Sequence, residues 1–210
     1  IIVKTVPDKT PFITLDEKEI KLSSDDLMIC KADEPMCIAG VFGGAHSGVK
    51  QTTKTIFIES ASFNNTSIRR TAQRHQLRTD AAIRFEKGTD ISQTIYALKR
   101  AALLLQEIAG GKISSPITDV YPKPEKQREI YLGYEKLNQL AGMNLNPADA
   151  DTILSSLQLS KTNSDASGAT WQVPAFKLDV VRDVDLVEEI LRIYGYDNIP
   201  VSEKLNSRMP

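Results

Sequence analysis

A proline-containing, charged segment near the middle of the chain separates two stretches with different patterns. Residues 121–127, YPKPEKQ, combine two prolines with polar and charged side chains. Proline lacks the backbone donor and restricts the residue before it, so this composition is typical of a connection between domains. We therefore predict two domains, over residues 1–122 and 128–200, with a linker at 123–127.

The first domain begins with patterns typical of strands and continues with patterns typical of helices. FITLDEKEIKL alternates around a polar turn, as in a hairpin, and DLMIC and MCIAGVFGG are short apolar runs. TIFIESASF alternates again and predicts another strand, followed by a helix capped at Asn64 or Asn65. Apolar residues at helical spacing predict a further helix over 91–109, capped by Asp90 and ended by Gly110.

The second domain has a different order of elements. YEKLNQLAG predicts a short helix, and Asn146 followed by Pro147 predicts the start of another. LQLSKTN and TWQVPA flank the turn SDASG as in a hairpin, and RDVDLVEEILRIYG predicts a last helix. Helix, helix, hairpin, helix is a winged-helix-like order, so the fold class is α+β.

Composition excludes several classes of protein. The 26 basic and 27 acidic side chains give a net charge of -1, so no overall field marks a nucleic-acid binder. No apolar run approaches the ~20 residues that a membrane span needs, and the first ten residues do not resemble a signal peptide. Two cysteines, Cys30 and Cys37, make no disulfide framework, so we expect free thiols.

A glycine-rich segment and one acid are the first candidates for a binding site. Gly40, Gly43, Gly44 and Gly48 let the backbone turn tightly and approach a ligand, although this segment taken alone favours a simple strand-to-loop bend. Glu59 lies in the alternating run with apolar neighbours. It is either an exposed glutamate of an edge strand or a carboxylate that awaits a polar group of a ligand.

Four arginines between residues 60 and 79 form a local basic cluster without any acid. Arg70, Arg74 and Arg78 would share one face if the helix extends that far, and Arg69 adds to the charge. Such a stripe could contact phosphates, or it could be a solvated face paired with acids elsewhere in the chain. His75 lacks a serine or cysteine partner, so we interpret it as structural.

Four acids near the last helix are candidate metal ligands. Asp185, Glu188 and Glu189 share a face of that helix, and Asp179 precedes it. Acids near a helix N-terminus are favoured by its dipole, which is the alternative explanation. Several carboxylates suit Mg²⁺, and no His/Cys cluster supports zinc.

Taken together, three segments resemble one family. GVFGGAHSGV, IESASFNNTSIRRTAQRHQLRTDAAIRFEKGTD and DLVEEILRIYGYDNIP are similar to the β subunit of bacterial phenylalanyl-tRNA synthetase, in the same order and spacing. The resemblance implies that residues 1–122 form a mixed-sheet B3/B4 editing module, which hydrolyses tyrosine mischarged on tRNA(Phe). It also implies that residues 128–200 form a B5 domain and that residues 201–210 begin the next module.

The resemblance assigns roles to individual residues of the editing module. Glu59 would read the tyrosine hydroxyl, Thr79 and Ala81 would line its pocket, and Gly40 and Gly43 would form the floor. Phenylalanine would leave Glu59 without a partner and would be spared. Water would attack the ester, since the module shows no nucleophile of its own.

The resemblance also implies cofactors and partners. Asp179, Asp185, Glu188 and Glu189 would coordinate magnesium, ATP would be used at the α subunit, and the cytoplasmic enzyme would be an (αβ)₂ assembly that binds tRNA(Phe). From their charge alone, Arg69, Arg70, Arg74 and Arg78 are our candidates for contact with the tRNA.

Two departures from the family, and two alternative functions, follow from the same comparison. The family's editing histidine comes from a segment upstream of this sequence, and Ala82 and Ile83 replace residues that contact substrate in many relatives. A non-catalytic scaffold for tRNA and the α subunit is therefore the alternative function. A free-standing DNA-binding winged helix is weakly supported, because the last helix is acidic.

Overall fold

A computed structural model describes residues 1–124 and 126–200 of the chain. The chain divides into two compact units, Ile1–Asp119 and Val120–Pro210. Both units contain strands and helices, which confirms the predicted class of two domains that mix α and β structure. The limits of the two domains stay a prediction, and the predicted start of a further module at 201–210 lies outside the described residues.

Six strands form the β structure of the first unit. β1 (Ile2–Thr5), β4 (Leu27–Lys31), β5 (Glu34–Ile38) and β6 (Phe42–Gly43) make one sheet in the order β1-β4-β5-β6, and β2 (Pro11–Ile13) pairs with β3 (Glu19–Lys21) as the predicted hairpin. Every described pairing is antiparallel, which corrects the mixed sheet that we expected. β4, β5 and β6 follow one another through short connections, and such connections allow only antiparallel neighbours.

The predicted strand over residues 55–63 is wrong. The structure has no strand there, although the sequence alternates. Phe57 is 71% exposed and Ile56 is 47% exposed, so neither of these two side chains packs in a core. Phe63, at the end of the segment, does pack against the core. Alternation stabilises a strand only where a neighbouring strand and a buried face are both available.

Three helices complete the first unit: α1 (Asn65–His75), α2 (Asp80–Glu86) and α3 (Thr94–Ala109). The Asn64 side chain accepts a hydrogen bond from the Ser67 backbone at 3.0 Å, as predicted for a helix cap. Gln76 ends α1 in the left-handed conformation. Arg78 therefore lies beyond the helix, which corrects the predicted stripe of arginines.

The core of the first unit lies where the sheet, the hairpin and the helices meet. β4 and β5 contribute Met28 and Ile38, and α1 contributes Ile68; the exposed fraction of each side chain is at most 2%. Leu22 and Val41 complete the most buried part of this core. The end of β5, the segment after it and α2 are thus fixed by common packing.

The second unit follows the predicted order with one additional strand. β7 (Arg128–Gly133), which the sequence did not predict, pairs with β9 (Gly168–Val173), and β9 pairs with β8 (Ser160–Ser164). The helices are α4 (Tyr134–Ala141), α5 (Pro147–Ser156) and α6 (Asp183–Tyr194). They enclose a core built around Trp171, which is fully buried. None of the helices described is long and apolar enough to cross a membrane.

Candidate functional site

One cavity of the first unit, with a volume of about 550 Å³, collects residues from four separate segments. These segments are the end of β5, the turn before β6, residues 59–63 and α2. All five residues predicted to form a ligand pocket line this cavity, namely Gly40, Gly43, Glu59, Thr79 and Ala81. The volume lies within the range of small-molecule sites in proteins.

Gly40 is required at its position by both backbone conformation and space. Its φ of +66° lies in the left-handed region, which side chains other than glycine rarely adopt. A Cβ there would lie 2.7 Å from the Phe63 ring and 2.9 Å from Ile68. The missing side chain therefore lets Phe63 pack against the turn that lines the cavity.

Gly43 and Gly44 differ in whether the surrounding atoms leave room for a side chain. A Cβ at Gly43 would meet no atom within 4 Å, so packing does not demand glycine there. A Cβ at Gly44 would lie 2.7 Å from the Met36 carbonyl oxygen, so this position does require glycine. Gly44 was not among the predicted pocket residues.

Glu59 and Cys37 are the two titratable groups whose environments are most altered in the cavity. Burial of its carboxyl group raises the pKa of Glu59 above the ordinary value, although the residue as a whole is exposed. Burial, with a smaller contribution from the charge of Glu59, raises the pKa of the Cys37 thiol to about 11. No described group neutralises Glu59, so its carboxylate is available to a polar group of a ligand.

An aromatic pair forms another part of the cavity lining. The rings of Phe63 and Phe85 meet edge to face, with 5.0 Å between their centroids and 67° between their planes. Phe42 also lines the cavity. Aromatic rings prefer such offset contacts with each other, so the lining suits an aromatic ligand. No local sequence pattern indicates this pair, because its members are far apart in the chain.

Thr79 joins two parts of the cavity wall. Its hydroxyl donates to the Val41 carbonyl oxygen at 2.5 Å and accepts from the Ala82 backbone at 3.1 Å. Ala81 is exposed into the site, whereas Ala82 is buried in the core. Neither Ala82 nor Ile83 is among the lining residues, so the replacement at these positions leaves the described lining unchanged.

The cavity lining offers no obvious nucleophile or cationic base. Among the described residues, no histidine, lysine or arginine lines it. Ser60 donates its hydroxyl hydrogen bond to the Thr94 carbonyl oxygen at 2.8 Å, and the raised pKa keeps Cys37 a thiol. The site as described can bind and orient a ligand, while hydrolysis would need an attacking water.

The predicted arginine cluster is divided among different roles. Arg74 pairs with the buried carboxylate of Asp26 at 2.5 Å, and Arg69 donates to the Glu86 carbonyl oxygen at 3.3 Å. Arg70 and Arg78 are exposed, and neither makes a hydrogen bond or ion pair within the described parts of the chain. Arg74 is therefore largely neutralised, whereas Arg69, Arg70 and Arg78 have no acidic partner among the described residues, and Arg70 and Arg78 also make no hydrogen bond.

Asp26 is the centre of a buried network that sequence reasoning missed. Its carboxylate accepts from the Ser23 backbone at 2.8 Å, from the Thr71 hydroxyl at 2.9 Å and from Arg74, and it lies 2.5 Å from His75 Nε2. Burial opposes the charge, but the hydrogen bonds outweigh it, so the pKa of Asp26 lies below its ordinary value. The structural interpretation of His75 fits these contacts.

The predicted magnesium ligands of the second unit do not gather into a metal site. Glu189 accepts from Lys177 at 2.6 Å and from Arg192 at 2.9 Å. Asp185 accepts from the backbone and guanidinium of Arg182 and thereby caps α6, which lowers its pKa to about 2.

The two remaining acids, Asp179 and Glu188, are exposed. Within residues 1–124 and 126–200, no group of three or more His, Cys, Asp or Glu side chains could hold a metal ion. The four residues as arranged therefore do not fit Mg²⁺, because protein cations already occupy the positions beside Glu189. A magnesium role for them stays a prediction.

Comparison with known proteins assigns each unit to a family. A model of the B3/4 domain matches residues 1–110, which include the whole cavity. The chain belongs to the B3/4 domain family. A model of the tRNA synthetase B5 domain matches residues 130–196, so a B5 domain follows the B3/4 domain.

The chain also matches longer proteins along its whole length. It is 50% identical, over 209 residues, to a phenylalanine–tRNA ligase beta subunit of Bacteroides thetaiotaomicron, and this match covers 100% of the chain and 26% of that protein. A beta subunit of Porphyromonas gingivalis is 49% identical over 201 residues, covering 95% and 24%, and one of Syntrophus aciditrophicus is 43% identical over 213 residues, covering 100% and 26%. The predicted resemblance is confirmed, and the chain spans about a quarter of these relatives.

A solved structure resembles the chain more distantly. The crystal structure of an N-terminal fragment of the phenylalanyl-tRNA synthetase beta subunit from Pyrococcus horikoshii aligns with 92% of this chain and 56% of its own. The sequence identity is 15% and the TM-score is 0.44, a score too low to support a structural comparison.

Proposed function

We propose that the B3/4 domain of this chain is a proofreading site that binds tyrosine esterified to tRNA(Phe) and promotes its hydrolysis. What supports this most is the cavity itself, which combines the Glu59 carboxylate with the Phe63–Phe85 pair. An aromatic ring that carries a hydroxyl can satisfy both features at once. Phenylalanine would fill the same space and leave Glu59 without a hydrogen-bond donor.

The physical basis of selectivity is the cost of leaving a partly buried carboxylate without a partner. A site built to accept a hydroxyl rejects an analogue that lacks it by up to ~10⁴–10⁵-fold. Partial burial of its carboxyl group raises the pKa of Glu59, which is the direction expected when a carboxylate loses part of its solvation. A tyrosine hydroxyl at this position would replace the missing solvent.

Within this proposal, the lining residues bind and orient the ester, and water attacks its carbonyl carbon. Gly40 and Gly43 form the floor and Ala81 lines the wall, where small residues leave room for the substrate. The described lining holds the carboxylates of Glu59 and Asp80 but no histidine, lysine or arginine. Glu59 is assigned to the tyrosine hydroxyl, so we infer that groups of the tRNA or of another part of the intact enzyme assist the water. No step involves magnesium.

The same proposal extends to the assembly in which the domain works. The relatives are named as ligase beta subunits, so we infer a cytoplasmic phenylalanine–tRNA ligase whose α subunit uses ATP and completes an (αβ)₂ assembly with tRNA(Phe). Arg70 and Arg78, which are exposed and unpaired in the described chain, are the best placed of the four arginines to meet tRNA phosphates. Arg69 has one contact and Arg74 has a buried partner, so their contribution would be smaller.

The test of the proposal is deacylation of tyrosyl-tRNA(Phe) and phenylalanyl-tRNA(Phe) by the intact ligase, wild type against Glu59→Ala. We expect the wild type to hydrolyse the tyrosyl ester preferentially and the variant to lose that preference. A Glu19→Ala variant, which changes an exposed acid of β3, serves as the control. Equal discrimination by the wild type and Glu59→Ala would remove Glu59 from the site.

A scaffold without catalysis is the second candidate function. It is favoured by the absence of a histidine, lysine or arginine from the cavity lining described. In that case the intact ligase would bind tRNA(Phe) but release no amino acid from the tyrosyl ester. The deacylation assay on the wild-type enzyme separates the two functions directly.

A further inference from the structure

The hydroxyl of Thr79 is already engaged on both sides within the protein. The hydroxyl donates a hydrogen bond to the Val41 carbonyl oxygen, with 2.5 Å between the two oxygens, and it accepts one from the Ala82 backbone N–H at 3.1 Å. A hydroxyl has one donor, so Thr79 cannot donate to a ligand without breaking the bond to Val41. Val41 is 2% exposed, so its carbonyl would lose a partner that water replaces poorly.

These two bonds join the two parts of the chain that form the cavity. Val41 belongs to the turn between Gly40 and Gly43, which lines one part of the site. Thr79 is the N-cap of α2, and α2 carries the lining residues Asp80, Ala81 and Phe85. One hydroxyl therefore fixes the separation between the turn and all three lining residues of the helix.

The short helix α2 depends on contacts at its first turn to stay in place. The helix has 7 residues, and isolated helices that short are not stable in water. Ala82 is the only buried residue of α2, and the partly buried Phe85 is the other residue of the helix that packs against the core. Phe85 reaches its contact with Phe63 only if the first turn of α2 is held in place.

We propose that Thr79 is a positioning residue that sets the width of the cavity by joining α2 to the 40–43 turn, and that it does not donate a hydrogen bond to the ligand. The expected effect on hydrolysis rests on the proposed proofreading function. The claim that Thr79 holds α2 against the 40–43 turn does not depend on that function. A displacement of about 1 Å in a reactive site can cost about 100-fold in rate, so loss of this bond is expected to be visible in activity.

The structural test compares Thr79→Val, which keeps the shape but removes the hydroxyl, with Thr79→Ser, which keeps the hydroxyl. Hydrogen exchange of the Ala82 amide and the NMR shifts of the Ala81 methyl and Phe85 ring are measured on the 210-residue chain. We expect Thr79→Val to expose the Ala82 amide and move both signals, and Thr79→Ser to resemble the wild type. Unchanged signals in Thr79→Val would overturn the inference, whatever the protein does to a tRNA.

The functional test uses the same variants in the intact ligase with tyrosyl-tRNA(Phe). We expect Thr79→Val to lose at least about tenfold in kcat/KM and Thr79→Ser to stay within about threefold of the wild type. If Thr79→Ser loses as much activity as Thr79→Val while its signals stay normal, the loss does not come from the position of α2 and the inference is wrong. A wild-type enzyme without hydrolysis would refute the proofreading function, and the NMR comparison would still decide the role of Thr79.

Discussion

Removing the buried carboxylate of Asp26 should lower the free energy of unfolding of the first unit far more than removing the exposed carboxylate of the neighbouring Asp25. Asp26 is fully buried and accepts hydrogen bonds from Ser23, Thr71 and Arg74, besides its contact with His75. Asp26→Ala leaves these donors without an acceptor in a site that is closed to water. Breaking a buried ion pair on one side costs ~3–5 kcal/mol, which is the loss of unfolding free energy that we expect.

The matched control is Asp25→Ala. Asp25 lies next in the chain and contacts the same Arg74 at 3.4 Å, but its side chain is 80% exposed. An exposed pair contributes about 0–1 kcal/mol, so this variant should stay close to the wild type. The two variants thus separate the effect of burial from the effect of charge.

The stability of both units is measured by urea unfolding, followed by far-UV circular dichroism and by tryptophan fluorescence. Trp171 is the single tryptophan and lies in the core of the second unit, so its fluorescence reports on that unit. With a slope of about 2 kcal/mol per molar urea, Asp26→Ala should lower the first-unit midpoint by ~1.5–2.5 M and leave the tryptophan transition unchanged. Similar midpoints for Asp26→Ala and Asp25→Ala would refute the reasoning.

Lowering the pH should reduce the stabilisation that the Asp26 carboxylate gives to the first unit. The pKa of Asp26 is lowered in the folded chain, so its contribution is present above the ordinary value of 3.8 and is lost as pH falls through the folded value. The stability difference between the wild type and Asp26→Asn should therefore shrink below about pH 4. A difference that stays constant down to pH 2 would contradict the assignment.

Three further predictions concern the cavity and α6. Gly40→Ala should destabilise the first unit by about 2–5 kcal/mol, because it combines left-handed backbone strain with overpacking. Gly43→Ala, which meets no atom within 4 Å, should have a much smaller effect; equal urea midpoints for the two would contradict the packing described. Glu189→Gln should lower the urea midpoint of the tryptophan transition, because it removes the charged partner of Lys177, whereas Glu188→Gln should not change it. Addition of magnesium should leave the urea midpoints of both variants unchanged. Because burial raises the pKa of Glu59, the preference of the intact ligase for the tyrosyl ester should decline as pH falls toward and below that raised value; a preference independent of pH would argue against an ionised Glu59.

Local rules explain the elements that the sequence predicted well. Asn64 before a helix and Asn146 with Pro147 before another are signals that act within a few residues, and both caps form. The hairpin around residues 16–18 has the same character. Such features need no information about the rest of the fold.

The elements that were missed depend on contacts between distant parts of the chain. Residues 55–63 alternate like a strand but find no neighbouring strand, and the left-handed Gln76 ends α1 before Arg78. The network of Asp26 joins residues 45 to 49 positions apart. The resemblance to a family identified residues that line the cavity, but it carried no information about the hydrogen bonds among them. The two hydrogen bonds of the Thr79 hydroxyl, to Val41 and Ala82, are an example.

The two cysteines have a practical consequence for labelling this protein. Cys30 is fully buried and burial raises its pKa, while the Cys37 thiol has a pKa of about 11. Only the thiolate reacts readily with maleimides and similar reagents, and burial keeps Cys37 in the thiol form at neutral pH. Surface cysteines introduced for fluorophores or spin labels should therefore react selectively while both native thiols stay in place, so distances across the cavity can be measured on the otherwise unaltered chain.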